Sequence, residues 1–168
     1  MQGSTRVGIC ILNYNGSEDT SECIRSIKKY NDLEKEGITI AVLDNNSTDQ
    51  DYNNLKSEIY AIVDNEQVYE LTVQEFEKGE INNSGIVIVK SDKNTGFAKG
   101  NNILLKYFEK RGFDYVLLLN NDTVIIDDSI TKCYNYLQSH KDVGTCTVNV
   151  CYYDSPENTW SAGSKILS

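Results

Sequence analysis

Asn120, Asn121 and Asp122 close the apolar run Tyr115-Val-Leu-Leu-Leu119. A carboxylate and two amides delivered together by one rigid element suit a hard divalent cation or a polar ligand. Three other apolar runs end in the same manner. Asn13-Tyr-Asn15 follows residues 7–12, Asp44-Asn-Asn-Ser47 follows residues 38–43, and the glycine-containing polar stretch 91–102 follows residues 86–89. Asn, Asp, Ser and Gly also make ordinary turns, so any one cluster has a second reading as a plain connection. What distinguishes the two readings is whether the clusters meet.

The elements that must position them can be read from the spacing of apolar residues. Short continuous runs rich in Val, Ile and Leu read as strands buried on both faces, and 115–119 is such a run. Between the first two, Cys23, Ile24 and Ile27 recur at helical spacing over about residues 18–30. Strand, helix, strand implies parallel pairing through a right-handed crossover. Asp49 is placed to cap the next helix, whose apolar face includes Tyr52, Leu55 and Ile59. Asp51 then falls on that helix's solvated face. Ile103 with Tyr107 and Leu104 with Phe108 mark a helix running to about Arg111.

Residues 127–139 read as a helix through Ile130, Cys133, Tyr134 and Leu137, residues 143–153 as a long alternating strand, and Pro156 as a turn. Residues 60–85 break the rhythm with two extended pieces, 61–63 and 67–73, and the acidic stretch 74–80, which reads as an inserted hairpin or flap. The predicted class is α/β, a mostly parallel sheet flanked by helices. In such sheets the carboxyl ends of the strands share one edge and ligands bind outside it, so the four clusters are expected to line one crevice.

Composition narrows the partners. At 168 residues the chain is about one domain, 1–168, with 39% hydrophobic and 24% charged residues, the proportions of a globular protein. Sixteen basic against 25 acidic side chains leave a net charge of −9, with no basic stripe to release counterions from nucleic acid or to dock on anionic lipid. No run approaches the ~20 apolar residues of a membrane span, and residues 1–6 have no apolar core of a signal peptide. Five cysteines without a Cys-x-x-Cys pair and a single histidine argue against structural zinc and for reduced thiols in the cytoplasm.

At this point the residues resemble a family. Leu43-Asp-Asn-Asn-Ser-Thr-Asp49, Asn94-Thr-Gly-Phe-Ala-Lys-Gly-Asn-Asn102, Leu118-Leu-Asn-Asn-Asp-Thr123 and Trp160-Ser-Ala-Gly163 resemble, in order, the signatures of family 2 glycosyltransferases, particularly the rhamnosyltransferase-like branch. Each motif alone is weak, but four in order across nearly the whole chain are specific. The resemblance implies a GT-A (Rossmann-like) fold and inverting, metal-dependent transfer from a nucleotide sugar, a UDP- or dTDP-sugar, to a saccharide or lipid-linked saccharide acceptor, as in polysaccharide biosynthesis.

It also implies residue roles. Asn13, Tyr14 and Asn15 with Asp44 and Asn45 take the nucleotide base, whose uracil or thymine edge offers one N–H between two carbonyls. Tyr14 either lies against the base, worth ~1 to 3 kcal/mol if it stacks, or covers a strand end. Asn94, Gly96 and Asn101 shape the wall beside the ribose and sugar, with Lys93 and Lys99 either near a phosphate or solvated. Asn120-Asn121-Asp122 stands at the family's Asp-x-Asp position, with Asp122 the ligand of Mg²⁺ or Mn²⁺ and Asn120 departing from the first acidic place. Asp127 and Asp128, nearby, read as first-turn helix carboxylates.

The general base of the family lies after the Trp/Gly segment, so the base and the acceptor-binding part are expected beyond Ser168. Asp44→Ala is expected to weaken nucleotide binding more than Asp51→Ala.

Two other classes compete. A non-catalytic nucleotide-sugar-binding domain fits the Asn at position 120 and the missing base, and sugar transfer regained only in a longer form would separate it from an enzyme. A flavodoxin-like or receiver domain fits an acidic strand-end pocket, but a receiver needs a Lys at a late strand end, which residues 143–153 do not offer.

Overall fold

The apolar runs become strands because β-branched residues pack well on a pleated surface, and the 3.6-periodic stretches become helices that cover them. A computed structural model of the chain describes residues 5–63, 68–79 and 85–163. Along the chain these are β1 (Val7–Asn13), α1 (Ser17–Tyr30), β2 (Ile38–Asp44), α2 (Asp49–Ile62), β3 (Val68–Thr72), α3 (Val73–Lys78), β4 (Gly85–Lys90), α4 (Gly96–Lys110), β5 (Tyr115–Leu119), α5 (Ser129–Ser139), β6 (Val150–Tyr152) and β7 (Ser155–Ser161). Strands β3-β4-β2-β1-β5, in that order, form one sheet with every neighbouring pair parallel. The β6/β7 hairpin is separate and antiparallel.

Alternation along the central strands divides the core in two. Ile9, Ile11, Ile40, Val42, Ile86 and Ile88 face α1 and α2, where Ile24, Ile27, Leu55 and Ile59 meet them. Cys10, Ala41, Leu43, Val87 and Val89 face the other way, onto Phe76 of α3 and Leu104, Tyr107 and Phe108 of α4. Burying each Ile, Leu or Phe contributes about 1.5–3 kcal/mol, so the two layers between the central strands and the helices are the main apolar source of stability. Two glycines set the distance of α4 from the sheet. A Cβ on Gly8 would lie 2.5 Å from the Phe108 ring, and one on Gly100 would lie 2.7 Å from the Leu12 side chain.

Several expectations are corrected. The run 115–119 is a strand, but at the sheet edge and not buried on both faces: it pairs only with β1 among the described residues, and Leu118 is 48% exposed. The stretch read as a flap instead supplies β3, a parallel partner of β4, and α3, capped by reciprocal Thr72 and Glu75 hydrogen bonds. Residues 64–67 and 80–84 of that stretch lie outside the described residues, and 61–62 continue α2.

Thr48, not Asp49, caps α2, because Thr48 holds the extended backbone of a cap while its hydroxyl accepts from the Asp51 N–H at 3.3 Å. Residues 143–149 form no strand. The hairpin begins at Val150, turns at 153–154, and carries Pro156 inside β7. Alternation alone could not supply a pairing partner for residues 143–149.

Candidate functional site at the strand ends

Parallel pairing sets Asn13 level with Asp44, and Asp44 level with Lys90, at the carboxyl ends of β1, β2 and β4. Pairing of β5 with β1 stops at Leu119 opposite Ile11, so the turn beginning at Asn120 leaves from the same edge.

Asn13 is the hub. Fully buried, its Nδ2 faces Asp44 Oδ1 at 3.1 Å, Ser47 Oγ at 3.2 Å and Asp51 Oδ2 at 2.8 Å, and its Oδ1 accepts from the Thr20 hydroxyl at 2.9 Å. An amide nitrogen has two hydrogens, so its donor capacity is fully used inside the protein. Asp44 is equally buried, and its second oxygen accepts from the Ser47 N–H at 3.3 Å.

Asp51 was expected on a solvated helix face, and the structure overturns that. Its carboxylate accepts from Asn13 and, at 3.0 Å, from the Ser17 N–H, joining the first turn of α2 to the start of α1. Burial acts to raise its pKa, but the hydrogen bonds from Asn13, Ser17 and Ser47 outweigh it and hold the carboxyl below its ordinary range.

The other loops are fastened to this hub. Asn15, at φ 51°, donates its N–H to Ser47 Oγ at 3.0 Å and accepts from the Thr48 N–H at 2.9 Å, which leaves its neighbour Tyr14 56% exposed on the rim. The Asn45 N–H reaches the Asn13 carbonyl at 2.8 Å. The Asn45 side chain accepts from the Thr95 N–H at 2.8 Å and donates to Asn94 Oδ1 at 3.1 Å. Asn94 Oδ1 in turn accepts from the Gly96 N–H at 2.9 Å. Gly96 sits at φ +74° with open space where a Cβ would be, so backbone conformation, not crowding, selects glycine there. Asn101 turns into its own helix, donating to the Phe97 carbonyl at 3.1 Å.

At the last loop, Asn121 Nδ2 donates to Thr20 Oγ1 at 3.1 Å, the Thr123 hydroxyl donates to the Asn120 carbonyl at 2.7 Å, and the Ile125 N–H donates to Ser26 Oγ at 2.9 Å. These contacts seat the 120–125 turn on α1, with Asn120 and Asp122 exposed.

Among the described residues, no group of three or more His, Cys, Asp and Glu could hold a metal ion by itself. Asp122, however, has neither hydrogen bond nor ion pair there. A single free carboxylate fits Mg²⁺ or Mn²⁺, which commonly take one or two carboxylates and complete their shell with phosphate and water. Asp127 and Asp128 pair instead with Lys132.

Hydrogen bonds thus bring together Asn13, Asn15, Asp44, Asn45, Asn94 and Asn121 of the expected site. Tyr14, Asn120 and Asp122 are rim residues, and Asn101 bonds within α4. Ser47 belongs to the expected 44–47 cluster, while Ser17, Thr20 and Asp51 were missed. The signal for two of them was present: Ser17, Thr20 and Ser21 continue the Ile24/Ile27 stripe of α1, polar residues at spacing that buries them.

The sequence matches the family model described as Glycosyl transferase family 2 over residues 8–166. No curated protein matches it. Among solved structures, it is similar to S. aureus TarS 1-349 in complex with UDP, at 18% identity and a TM-score of 0.56, over 82% of this chain and 33% of that one. The same protein in complex with UDP-GlcNAc gives 16%, 0.55, 82% and 32%. A mannosyltransferase, PcManGT from Pyrobaculum calidifontis, in complex with GDP-Man and Mn²⁺, gives 14%, 0.58, 90% and 36%. The chain therefore spans about a third of the length of each. At such identities the likeness is one of fold, the α/β Rossmann-like GT-A arrangement.

Proposed function

The chain belongs to glycosyl transferase family 2, and we propose that its strand-end crevice is the donor site of an enzyme transferring a sugar, with inversion, from a UDP- or dTDP-sugar to a hydroxyl of a saccharide or lipid-linked saccharide. One observation carries the reading: an unbroken hydrogen-bonded path from Asn94 through Asn45, Asn13 and Thr20 to Asn121, which joins the loops after β4, β2, β1 and β5 into one rim. Turn formers on unrelated connections have no reason to be wired to one another.

In this reading Tyr14 and Asn15 present an aromatic face and backbone groups to the base, while buried Asn13 and Asp44 hold that turn instead of touching the ligand. Gly96 and the opening turn of α4 lie beside the sugar. Asp122 would hold Mg²⁺ or Mn²⁺, which when bound supplies positive charge against the departing diphosphate. The chain's own part is to orient the donor and keep its reacting carbon open to the acceptor. Because Asp44 and Asp51 already accept internal hydrogen bonds, neither is free to take a proton from an acceptor hydroxyl. The general base is therefore sought outside these loops.

No helix of the described residues is long and apolar enough to cross a membrane. The five cysteines are free thiols, which supports a reducing compartment, the cytoplasm.

A thermal-shift panel of UDP, dTDP and GDP, each with and without Mn²⁺, tests the proposal. A pyrimidine diphosphate with metal is expected to raise the melting temperature, since a ligand of the folded state stabilises it by mass action. No shift with any nucleotide at millimolar concentration contradicts the donor-site reading.

A further inference from the structure

We infer that Asp51 and Asp44 set the polarity of a hydrogen-bond relay through Asn13 and Thr20, which fixes the amide of Asn121 with its nitrogen inward and its oxygen turned to the crevice beside Asp122. This deepens the donor-site reading and rests on it. Thr20 and Asp51 are then positioning residues that act on the ligand only through Asn121 and the β1–α1 turn.

The polarity follows from what each group can offer. Asp51 accepts from Asn13 and from the Ser17 N–H, and its hydrogen bonds favour the ionised carboxylate, which accepts only. Asp44 faces the same Asn13 nitrogen. A flipped Asn13 amide would set its oxygen against oxygens of both acids, so the nitrogen must face them and the oxygen must face Thr20. That oxygen carries no hydrogen, and the Thr20 hydroxyl must therefore donate to it at 2.9 Å. The hydroxyl's lone pairs are left for Asn121, whose nitrogen lies 3.1 Å away.

The relay is built into close quarters. Thr20 is fully buried, and a Cβ on Gly16 would stand 2.9 Å from Asn121 Nδ2, so glycine at 16 leaves the space this amide occupies. One hydrogen of its nitrogen goes to Thr20, and among the described residues Asn121 has no donor to its oxygen. It therefore offers the crevice an acceptor next to the Asp122 carboxylate, suited to a hydroxyl of the donor or to a hard cation.

Thr20→Val and Thr20→Ser separate this from a packing role. Valine keeps the volume and removes the hydroxyl; serine keeps the hydroxyl and removes a methyl. Two readouts apply: the side-chain amide NMR signals of Asn121 in the unliganded protein, and calorimetric affinity for UDP and GDP with Mn²⁺. Valine is expected to move the Asn121 signals towards those of a solvated amide and to weaken nucleotide binding on the order of tenfold, as a stranded buried polar pair would. Serine should recover most of both.

Unchanged Asn121 signals in the valine variant overturn the relay. Full affinity with valine and a loss with serine overturn the positioning role in favour of packing. If the unsubstituted protein binds neither nucleotide, the donor-site reading fails and takes the positioning role with it, while the NMR arm still decides whether the relay exists. Should Thr20→Val not fold, Asp51→Ala removes the acceptor facing Asn13 at a half-buried position and is read the same way.

Discussion

The Asn13 amide nitrogen lies 2.8 Å from the Asp51 carboxylate, tying the last residue of β1 to the first turn of α2 across 38 positions of sequence. Together with the Ser17 N–H on the same carboxylate, this makes the β1–α1 turn and the α2 N-terminus one mechanical unit. Asp51→Ala strands a buried amide hydrogen and a backbone N–H. It is expected to lower unfolding free energy by about 1–3 kcal/mol in urea titration, where a change below ~0.5 kcal/mol, typical of a free surface carboxylate, speaks against the contact.

The same carboxylate gives a pH signature. Its folded-state pKa is depressed below the ordinary ~3.9 of an aspartate, chiefly by hydrogen bonds that overcome burial. A depressed pKa contributes stability that is present above about pH 4 and lost as pH falls through the folded value. Acid unfolding followed by circular dichroism should therefore be steeper in the unsubstituted protein than in Asp51→Asn. Superimposable acid limbs would mean Asp51 has the same pKa folded and unfolded.

On the opposite face of the sheet, Gly8→Ala places a methyl 2.5 Å from the Phe108 ring. Overpacking of this kind costs about 1–3 kcal/mol. Denaturant midpoints measured for Gly8→Ala and for the Gly8→Ala/Phe108→Leu double variant should show the second recovering part of the loss; no recovery points to a backbone effect of glycine.

The thiols divide by burial. Burial pushes Cys10 up to about 12 and Cys23 to about 11, the latter also through the nearby charge of Asp122, while Cys146 is exposed. A disulfide reagent at pH 8 should modify Cys146 first and reach Cys10 and Cys23 only on unfolding. Rapid labelling of Cys10 in the folded protein would contradict the packing of β1.

How much of this was legible in the sequence depended on the kind of signal. Uniform apolar runs gave β1, β2 and β4 within a residue or so because both faces of those strands are buried, and nothing competes with that pattern. The run at 115–119 looked the same, yet it lies at the edge, since apolar content records what a strand can bury and not which neighbours it has. Alternation at 143–153 misled for the same reason. At the rim, residue types marked Asn13, Asp44 and Asn121 as a set. Asp51 was misassigned because residue type was weighed above spacing: it stands four residues before Leu55 and eight before Ile59, on the buried stripe of α2, where the first turn brings its carboxylate to Asn13 and Ser17.

At the proposed metal position, Asp122→Asn removes the one unpartnered carboxylate of its turn while keeping its size. Calorimetry of UDP with Mn²⁺ should lose affinity on the order of tenfold or more in this variant, and chelator should have the same effect on the unsubstituted protein. Affinity untouched by chelator would remove the metal from the account.

Whether four separate loops form one nucleotide-sugar site is read out residue by residue through amide chemical-shift mapping with UDP and Mg²⁺. Shifts should concentrate at residues 13–17, 44–48, 94–101 and 120–123 and appear together along one titration curve. Shifts confined to one of these loops, or lying elsewhere on the sheet, would contradict a single shared site.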